Sequence, residues 1–195
     1  MARNFVLVLV CCLAAAGCSA KRGMEVPPVD YAELATAGPK PAVDYEAQVG
    51  GATEGAVLPL PHFQERVEHV LAASGMFSRI SAAKGAEEFH LSLALAPKPL
   101  TQGQVIYGIV SGVTACLVPY RGRETFVLAV DVQKGGQTLK RYEYQEHVEV
   151  FAWTPVGIIT ELANTQASDD VADALLLAFL KDLKRDRLLE PPPGK

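Results

Sequence analysis

The residues best suited to chemistry do not form a known catalytic or metal-binding pattern in this sequence. His62 and His69 lie two turns apart in a predicted helix, about 10.5 Å along its axis, which is too far for two ligands of one zinc ion. Ser111 is one residue away from the serine position of the G-x-S-x-G nucleophile motif. His90 and His147 lie in predicted strands, and we expect neither to have a chemical role. The sequence therefore predicts no catalytic residue, no metal site and no cofactor, and we expect that the protein is not an enzyme.

Composition excludes two further classes of protein. The chain has 195 residues, a formal charge of −4 and no basic run, whereas binding to nucleic acid requires clustered lysine and arginine. Hydrophobic residues make up 49% of the chain, which is too many for a wholly disordered protein. We therefore expect a folded protein that does not bind nucleic acid.

The amino-terminal segment has the layout of a secretory signal. Arg3 supplies positive charge, and the run from Phe5 to Ala16 is apolar. As a helix, this run is about 18 Å long, whereas the hydrocarbon core of a bilayer is about 30 Å thick. The segment is therefore predicted to direct export rather than to remain as a membrane-spanning helix.

The end of this segment, Ala15-Ala16-Gly17-Cys18, resembles the lipobox of bacterial lipoproteins. In that class a peptidase cuts before the cysteine, whose thiol then carries a diacylglycerol. The resemblance implies that Cys18 is the lipid attachment site and that the lipid, with acyl chains such as palmitate, anchors the protein in a membrane. Ser19 is not the aspartate associated with inner-membrane retention, so the class implies the outer membrane, with the protein facing the periplasm.

The segment after the cysteine reads as a tether. Ser19 to Pro61 is rich in proline and glycine and has little apolar periodicity, which is typical of chain that does not bury enough surface to fold. The sequence therefore predicts four regions: a signal peptide (1–17), the lipidated cysteine with a flexible linker (18–61), a periplasmic domain (62–190) and a disordered tail (191–195).

Periodicity within the domain predicts an α+β fold. Apolar residues recur at helical spacing from His62 to Ala73, and Phe89 to Leu95 alternates as a strand does. Thr125 to Val132 and the strand from about Thr138 to Trp153 flank a Gly-Gly turn, which is a strong hairpin signal. A last helix is predicted from Ser168, with acidic residues in its first turn. We expect an antiparallel sheet packed against two helices.

Two apolar segments stand out within the domain. Val105 to Pro119 contains no charged residue, and Trp153 to Leu162 is nearly as apolar. Both are consistent with buried core strands. As a helix, the first segment places Gly108, Gly112 and Cys116 on one stripe of small residues, which lets another surface approach closely. The alternative prediction is therefore a membrane-contacting or partner-binding element that includes Gly108, Gly112 and Trp153.

A second resemblance covers about Val105 to Leu189. The run Ser111-Gly112-Val113-Thr114, leading to Leu117-Val118-Pro119 and then to a hairpin, a tryptophan and a terminal helix, resembles groups of small proteobacterial envelope lipoproteins. The resemblance implies no catalytic residues. We expect an outer-membrane lipoprotein whose domain binds an envelope protein or another envelope component. The alternatives are an accessory lipoprotein that handles lipid or a transported solute, and a hydrolase of the envelope.

Overall fold

A computed structural model describes residues 19–36, 38–50, 62–82, 85, 87–113, 120–152 and 158–189. The described strands are β1 (Ser19–Arg22), β2 (Ala42–Val49), β3 (Arg79–Ser81), β4 (Phe89–Pro97), β5 (Tyr120–Lys134) and β6 (Gln137–Ala152). The described helices are α1 (Tyr31–Leu34), α2 (Phe63–Ala73), α3 (Gln102–Val113) and α4 (Ile158–Asp186). The predicted α+β class is confirmed.

The strands form one mixed sheet in the order β1-β6-β5-β4-β2-β3. The pairs β1–β6, β6–β5 and β5–β4 are antiparallel, whereas β2 is parallel to both of its neighbours, β4 and β3. The prediction of a purely antiparallel sheet is therefore wrong. The physical reason is the connection from β2 to β3, which passes through α2, because a helical crossover returns the chain in its original direction.

The predicted linker over residues 18–61 is wrong for two of its segments, because β1 and β2 belong to the sheet. β2 lies between β3 and β4, and it buries Val43 and Tyr45 in the core. Prolines and glycines on both sides of this short alternating run concealed it from sequence analysis. The described sheet therefore includes residues that were predicted to be linker, whereas residues 51–61, the predicted signal peptide and the predicted tail at 191–195 lie outside the described residues.

Helices α2 and α4 pack on the same face of the sheet. α2 contributes Val67 and Val70 to the core, and α4 contributes Leu176 and Phe179. Side chains of alternate strand positions meet them, because successive residues of a strand point to opposite faces. The sheet residues of this layer include Val43, Tyr45, Leu91, Leu93, Leu95, Phe126, Leu128, Val130, Val132, Val148 and Val150. The opposite face, which we call the outer face, carries mostly polar residues.

The predicted hairpin is confirmed. The predicted start of the last helix at Ser168 is wrong. β5 and β6 join through Gly135 and Gly136, whose φ angles of 56° and 82° belong to the left-handed region that glycine adopts most readily. α4 begins at Ile158, ten residues before the predicted cap at Ser168, and it therefore includes part of the apolar Trp153–Leu162 segment.

The two ends of the sheet differ in the chain segments that leave them. β1 and β5 begin at one end, where β2, β4 and β6 finish; we call it the Ser19 end. The opposite end contains the tight turn between β5 and β6, and we call it the hairpin end. Among the described residues, no helix combines the length and the apolar composition that a membrane span requires.

Candidate functional site

Helix α3 starts with a reciprocal cap that its sequence explains. The Gln104 amide donates to Thr101 Oγ1 at 3.4 Å, and the Thr101 amide donates to Gln104 Oε1 at 2.8 Å. This is the capping-box arrangement, in which two helix-terminal N–H groups are satisfied by each other's side chains. Gln104 also donates through Nε2 to the carbonyl oxygen of Arg123 at 2.8 Å, which ties the first turn of α3 to β5.

The rest of α3 exposes apolar side chains over most of its circumference. Ile106 is 63% exposed and Ile109 is 59% exposed, whereas Ser111 is buried against the domain. Val105, Tyr107 and Val110 are exposed as well. The interpretation of Val105 to Pro119 as a buried core strand is therefore wrong for residues 105–113, which are helical, and residues 114–119 lie outside the described residues. A charge-free helix with this much apolar surface in water indicates a binding surface.

Of the four predicted site residues, two lie in this helix and two lie outside the described residues. Gly108 is half-buried in α3, between the exposed Tyr107 and Ile109. Gly112 lies in the last turn of the same helix. Cys18 and Trp153 lie outside the described residues. The structure thus places Gly108 and Gly112 in one apolar helix and leaves the predicted roles of Cys18 and Trp153 as predictions.

Helix α3 lies at the Ser19 end of the sheet. Ser19 pairs with Phe151 of β6, and Phe151 pairs with Arg121 of β5. Arg121 is two residues from Arg123, to which α3 is hydrogen-bonded. Because neighbouring strands are about 4.8 Å apart, β1 and the start of β5 are separated by only about 10 Å. The residue that follows Cys18 and the apolar helix are therefore close to each other.

At the hairpin end of the sheet, Lys140 of β6 forms an ion pair with Asp186 of α4.

A buried carboxylate fixes the amino-terminal segment to β6. Glu146 is fully buried, and it accepts hydrogen bonds from the amides of Val26 at 3.1 Å and of His147 at 2.9 Å. Arg22 approaches the same carboxylate at 3.5 Å. The carbonyl oxygen of His147 accepts a hydrogen bond from the Gly23 amide at 2.7 Å. Because these groups satisfy a buried charge, residues 22–26 are held against the sheet.

Glu25, Glu146 and His147 are the described residues with the arrangement closest to a metal site. Their ligand atoms all lie within 4.8 Å of one another, and His147 Nδ1 is 3.0 Å from Glu25 Oε1. The oxygens of Glu146, however, already accept backbone hydrogen bonds, and the guanidinium of Arg22 supplies the positive charge. We therefore interpret the group as an attachment for the amino-terminal segment.

The attachment formed by Glu146 and His147 was not predicted from the sequence, although one signal was present. Glu146 lies on the same face of β6 as Tyr142, Tyr144 and Val148, and this face is covered by the helices. A charged residue in such a row is a candidate for a buried, paired carboxylate. His147 lies on the opposite face of β6 and is buried there, where Gly23 packs so closely against its imidazole that no Cβ fits.

A second buried histidine pairs with Asp44 near the hairpin end. The Asp44 carboxylate contacts His90 Nδ1 and accepts a hydrogen bond from the Glu87 amide at 3.1 Å. Burial raises the pKa of Asp44, but the bonds from His90 and Glu87 outweigh it and hold the pKa below its ordinary value. Within the described ranges, His90 Nε2 is buried without a hydrogen-bond partner. The pair is far along β4 from α3, which follows the opposite end of that strand.

A cavity of about 520 Å³ lies at the hairpin end, beside the carboxyl end of α4. Met76, Leu183 and Leu189 line its apolar part. Lys184 also borders it, but its Nζ donates to the carbonyl oxygens of Glu33 at 2.7 Å and Ala35 at 2.9 Å. The basic group of the cavity therefore holds the chain after α1 in place.

Comparisons with known proteins yield remote structural similarity alone. The chain matches no family model and no curated protein sequence. A minor lipoprotein from Acinetobacter baumannii is 11% identical, with a TM-score of 0.45 over 75% of this chain and 94% of that chain. A protein from Xanthomonas campestris is 11% identical, with a TM-score of 0.43 over 85% and 93% of the two chains. The PelC dodecamer of Paraburkholderia phytofirmans is 12% identical, with a TM-score of 0.33 over 85% and 98%.

Proposed function

We propose that this protein is a non-enzymatic lipoprotein of the outer membrane, that a lipid on Cys18 anchors it facing the periplasm, and that α3 binds the lipid surface of that membrane. The observation that carries the proposal is the position of the exposed apolar helix α3 at the Ser19 end of the sheet. The envelope component that this end of the domain binds is thus the membrane itself.

The first support is the shortness of the connection between lipid and fold. Cys18 immediately precedes Ser19, and Ser19 is already paired with Phe151. Consecutive Cα atoms are about 3.8 Å apart, so an acylated Cys18 holds the Ser19 end directly at the membrane surface. Because no spacer separates the lipid from β1, the domain is restricted in turning this end away from the bilayer.

The second support is the composition of the surface at that end. Ile106 and Ile109 bring apolar area into contact with lipid, and α3 has no charged residue whose desolvation would oppose insertion. At about 18 Å, the helix is suited to lie in the interface between headgroups and acyl chains rather than to cross the bilayer.

Flotation with vesicles tests the contribution of α3. The protein from Ser19 onward, without lipid, is mixed with phosphatidylethanolamine–phosphatidylcholine vesicles, and partitioning is compared for the parent chain and for Ile106→Ser with Ile109→Ser. Removing these two partly exposed side chains makes transfer from water to the bilayer less favourable by about 2–4 kcal/mol, which corresponds to about a hundredfold weaker partitioning. Because α3 is uncharged, we expect partitioning to be insensitive to salt.

Leu139→Ser is the matched control, because Leu139 is also an exposed apolar residue but lies at the hairpin end. We expect this variant to float like the parent. Equal loss in both variants, or no flotation of the parent, would exclude α3 as the lipid-binding element. Lipidation is tested separately by labelling cells with radioactive palmitate, which the parent chain should incorporate and Cys18→Ala should not. Equal labelling of the two chains would refute lipid attachment at Cys18.

A further inference from the structure

We propose that the free edge of β6, from Arg141 to Gln145, is a strand-addition site for an extended segment of another protein. This edge is distinct from the proposed membrane-binding helix α3 and lies in a different part of the molecule. β6 pairs with β5 along its length, but β1 covers its other edge only from Val148 to Phe151. The amino-terminal chain then leaves the edge at Gly23, which donates to the carbonyl oxygen of His147.

The direction of the backbone groups follows from that last hydrogen bond. The carbonyl oxygen of His147 points toward β1, and residues two positions apart in a strand direct their N–H and C=O groups to the same side. Arg141, Glu143 and Gln145 therefore present three N–H and three C=O groups along the edge. Among the described residues, none of these six groups has a backbone partner. Such a row is a template for one more strand.

The edge is held rigid from the helix side. Tyr142 and Tyr144, which alternate with the edge-facing residues, donate hydrogen bonds through their hydroxyls to Asp186 at 2.7 Å and to Asp182 at 2.8 Å. Their rings stack with centroids 6.4 Å apart. A strand fixed in this way loses little conformational entropy when a partner pairs with it, so association is favoured.

The charges along the edge define the chemistry of the partner. Arg141 and Glu143 project from the outer face and are exposed, with a positive charge followed two residues later by a negative one. An antiparallel partner strand meets these residues in reverse order. The complementary segment therefore carries a basic residue opposite Glu143 and, two residues later, an acidic residue opposite Arg141, because opposite charges directly across a sheet stabilise pairing and like charges oppose it.

A second copy of this chain also has that order, since Arg141 would face Glu143 of the other copy. Antiparallel pairing of two β6 strands, however, places the two Ser19 ends at opposite ends of the joined sheet. If the proposed anchoring is correct, both lipids cannot then enter one membrane in the same orientation. We therefore assign the site to a different protein. The site stands about 23 Å or more from the end of β6, at about 3.3 Å per residue, and is therefore clear of the lipid surface.

Hydrogen exchange with a designed peptide tests the proposal. The probe is a capped peptide, Thr-Val-Lys-Val-Glu-Val-Thr, and its control is Thr-Val-Glu-Val-Lys-Val-Thr, which has the same composition and the reversed charge order. With the lipid-free chain from Ser19 to Lys195, we expect the probe to slow exchange of the Arg141, Glu143 and Gln145 amides at least tenfold. We expect the probe to bind about tenfold more tightly than the control peptide.

Variants separate backbone pairing from charge. Glu143→Pro removes an edge N–H, and should abolish peptide protection, whereas Glu143→Ala keeps the N–H and should retain protection. Arg141→Glu combined with Glu143→Arg should reverse the preference between the two peptides. Because both substitutions are on the surface, we expect this variant to fold, and it tests the proposal even if Glu143→Pro does not fold.

Three results would overturn the proposal. The first is the absence of protection by either peptide at millimolar concentration. The second is equal binding of both peptides, with no reversal in the charge-exchanged variant. The third is protection of the three amides in the free protein, and if that protection rises with protein concentration it identifies a second copy as the occupant. None of these measurements involves a membrane. A negative result would therefore exclude strand addition at β6 without bearing on the proposed anchoring.

Discussion

Ser19 pairs with Phe151 in the sheet, although Ser19 is the residue that directly follows Cys18. The site of predicted lipidation is therefore joined to folded structure without a tether. This relationship determines which end of the domain an acyl chain on Cys18 would bring to the membrane, and it is the same end at which α3 exposes Ile106 and Ile109.

Inserting a spacer between Cys18 and Ser19 should uncouple anchoring from orientation. We expect a Ser-Gly repeat of about ten residues to leave the protein in the membrane fraction but to free the Ser19 end from the surface. An Ile106→Cys reporter, in a Cys116→Ser background, should react with a membrane-impermeant maleimide several times faster in the spacer variant. The spacer begins with serine, so the residue after Cys18 is unchanged. Equal labelling with and without the spacer would contradict the proposed orientation.

Glu146→Gln should destabilise the protein by about 2–4 kcal/mol, because it removes a buried charge that Arg22 and backbone amides satisfy and turns an NH₂ group toward those donors. Urea unfolding measures the change. Glu149→Gln is the control, since Glu149 pairs with Arg123 on the exposed surface and its loss should change stability by less than about 0.5 kcal/mol. Similar midpoints for the two variants would show that Glu146 does not secure the amino-terminal segment.

The free energy of unfolding should decrease as the pH is lowered, because Asp186 becomes protonated. Hydrogen bonds from Lys140 and then from Tyr142 lower the pKa of Asp186 from 3.8 to about 2. Because the folded pKa lies below the ordinary value, the contribution of this group is complete above about pH 4 and is lost as pH falls toward 2. Asp44, whose pKa is also lowered, adds a loss of the same sign.

Chemical unfolding at several pH values between 2 and 5 measures this effect. In Asp186→Asn the decrease in stability across that interval should be smaller than in the parent chain. Asp170→Asn, at an exposed position of α4, is the control and should follow the parent. An unchanged slope in Asp186→Asn would mean that the interaction with Lys140 and Tyr142 does not persist in solution.

Several elements were predictable because their signals are local. The hairpin requires only alternation in two neighbouring runs and a Gly-Gly turn, and α2 requires only apolar residues at helical spacing. Both are confirmed. β2 was missed because an eight-residue strand between prolines and glycines acquires its stability from β3 and β4, whose contacts no local pattern describes.

By itself, the sequence determined the α+β class and the unusual lack of charge from Val105 to Pro119, and it predicts an export signal with a lipobox-like end. Tertiary structure decided where these features meet. Pairing of β1 with β6 joins residues more than 120 positions apart, and the burial of Glu146 depends on amides from that distant segment. Whether α3 is core or surface was likewise undetermined by composition, because an apolar helix is stable in the interior or at an interface, and only packing shows which of its sides has neighbours.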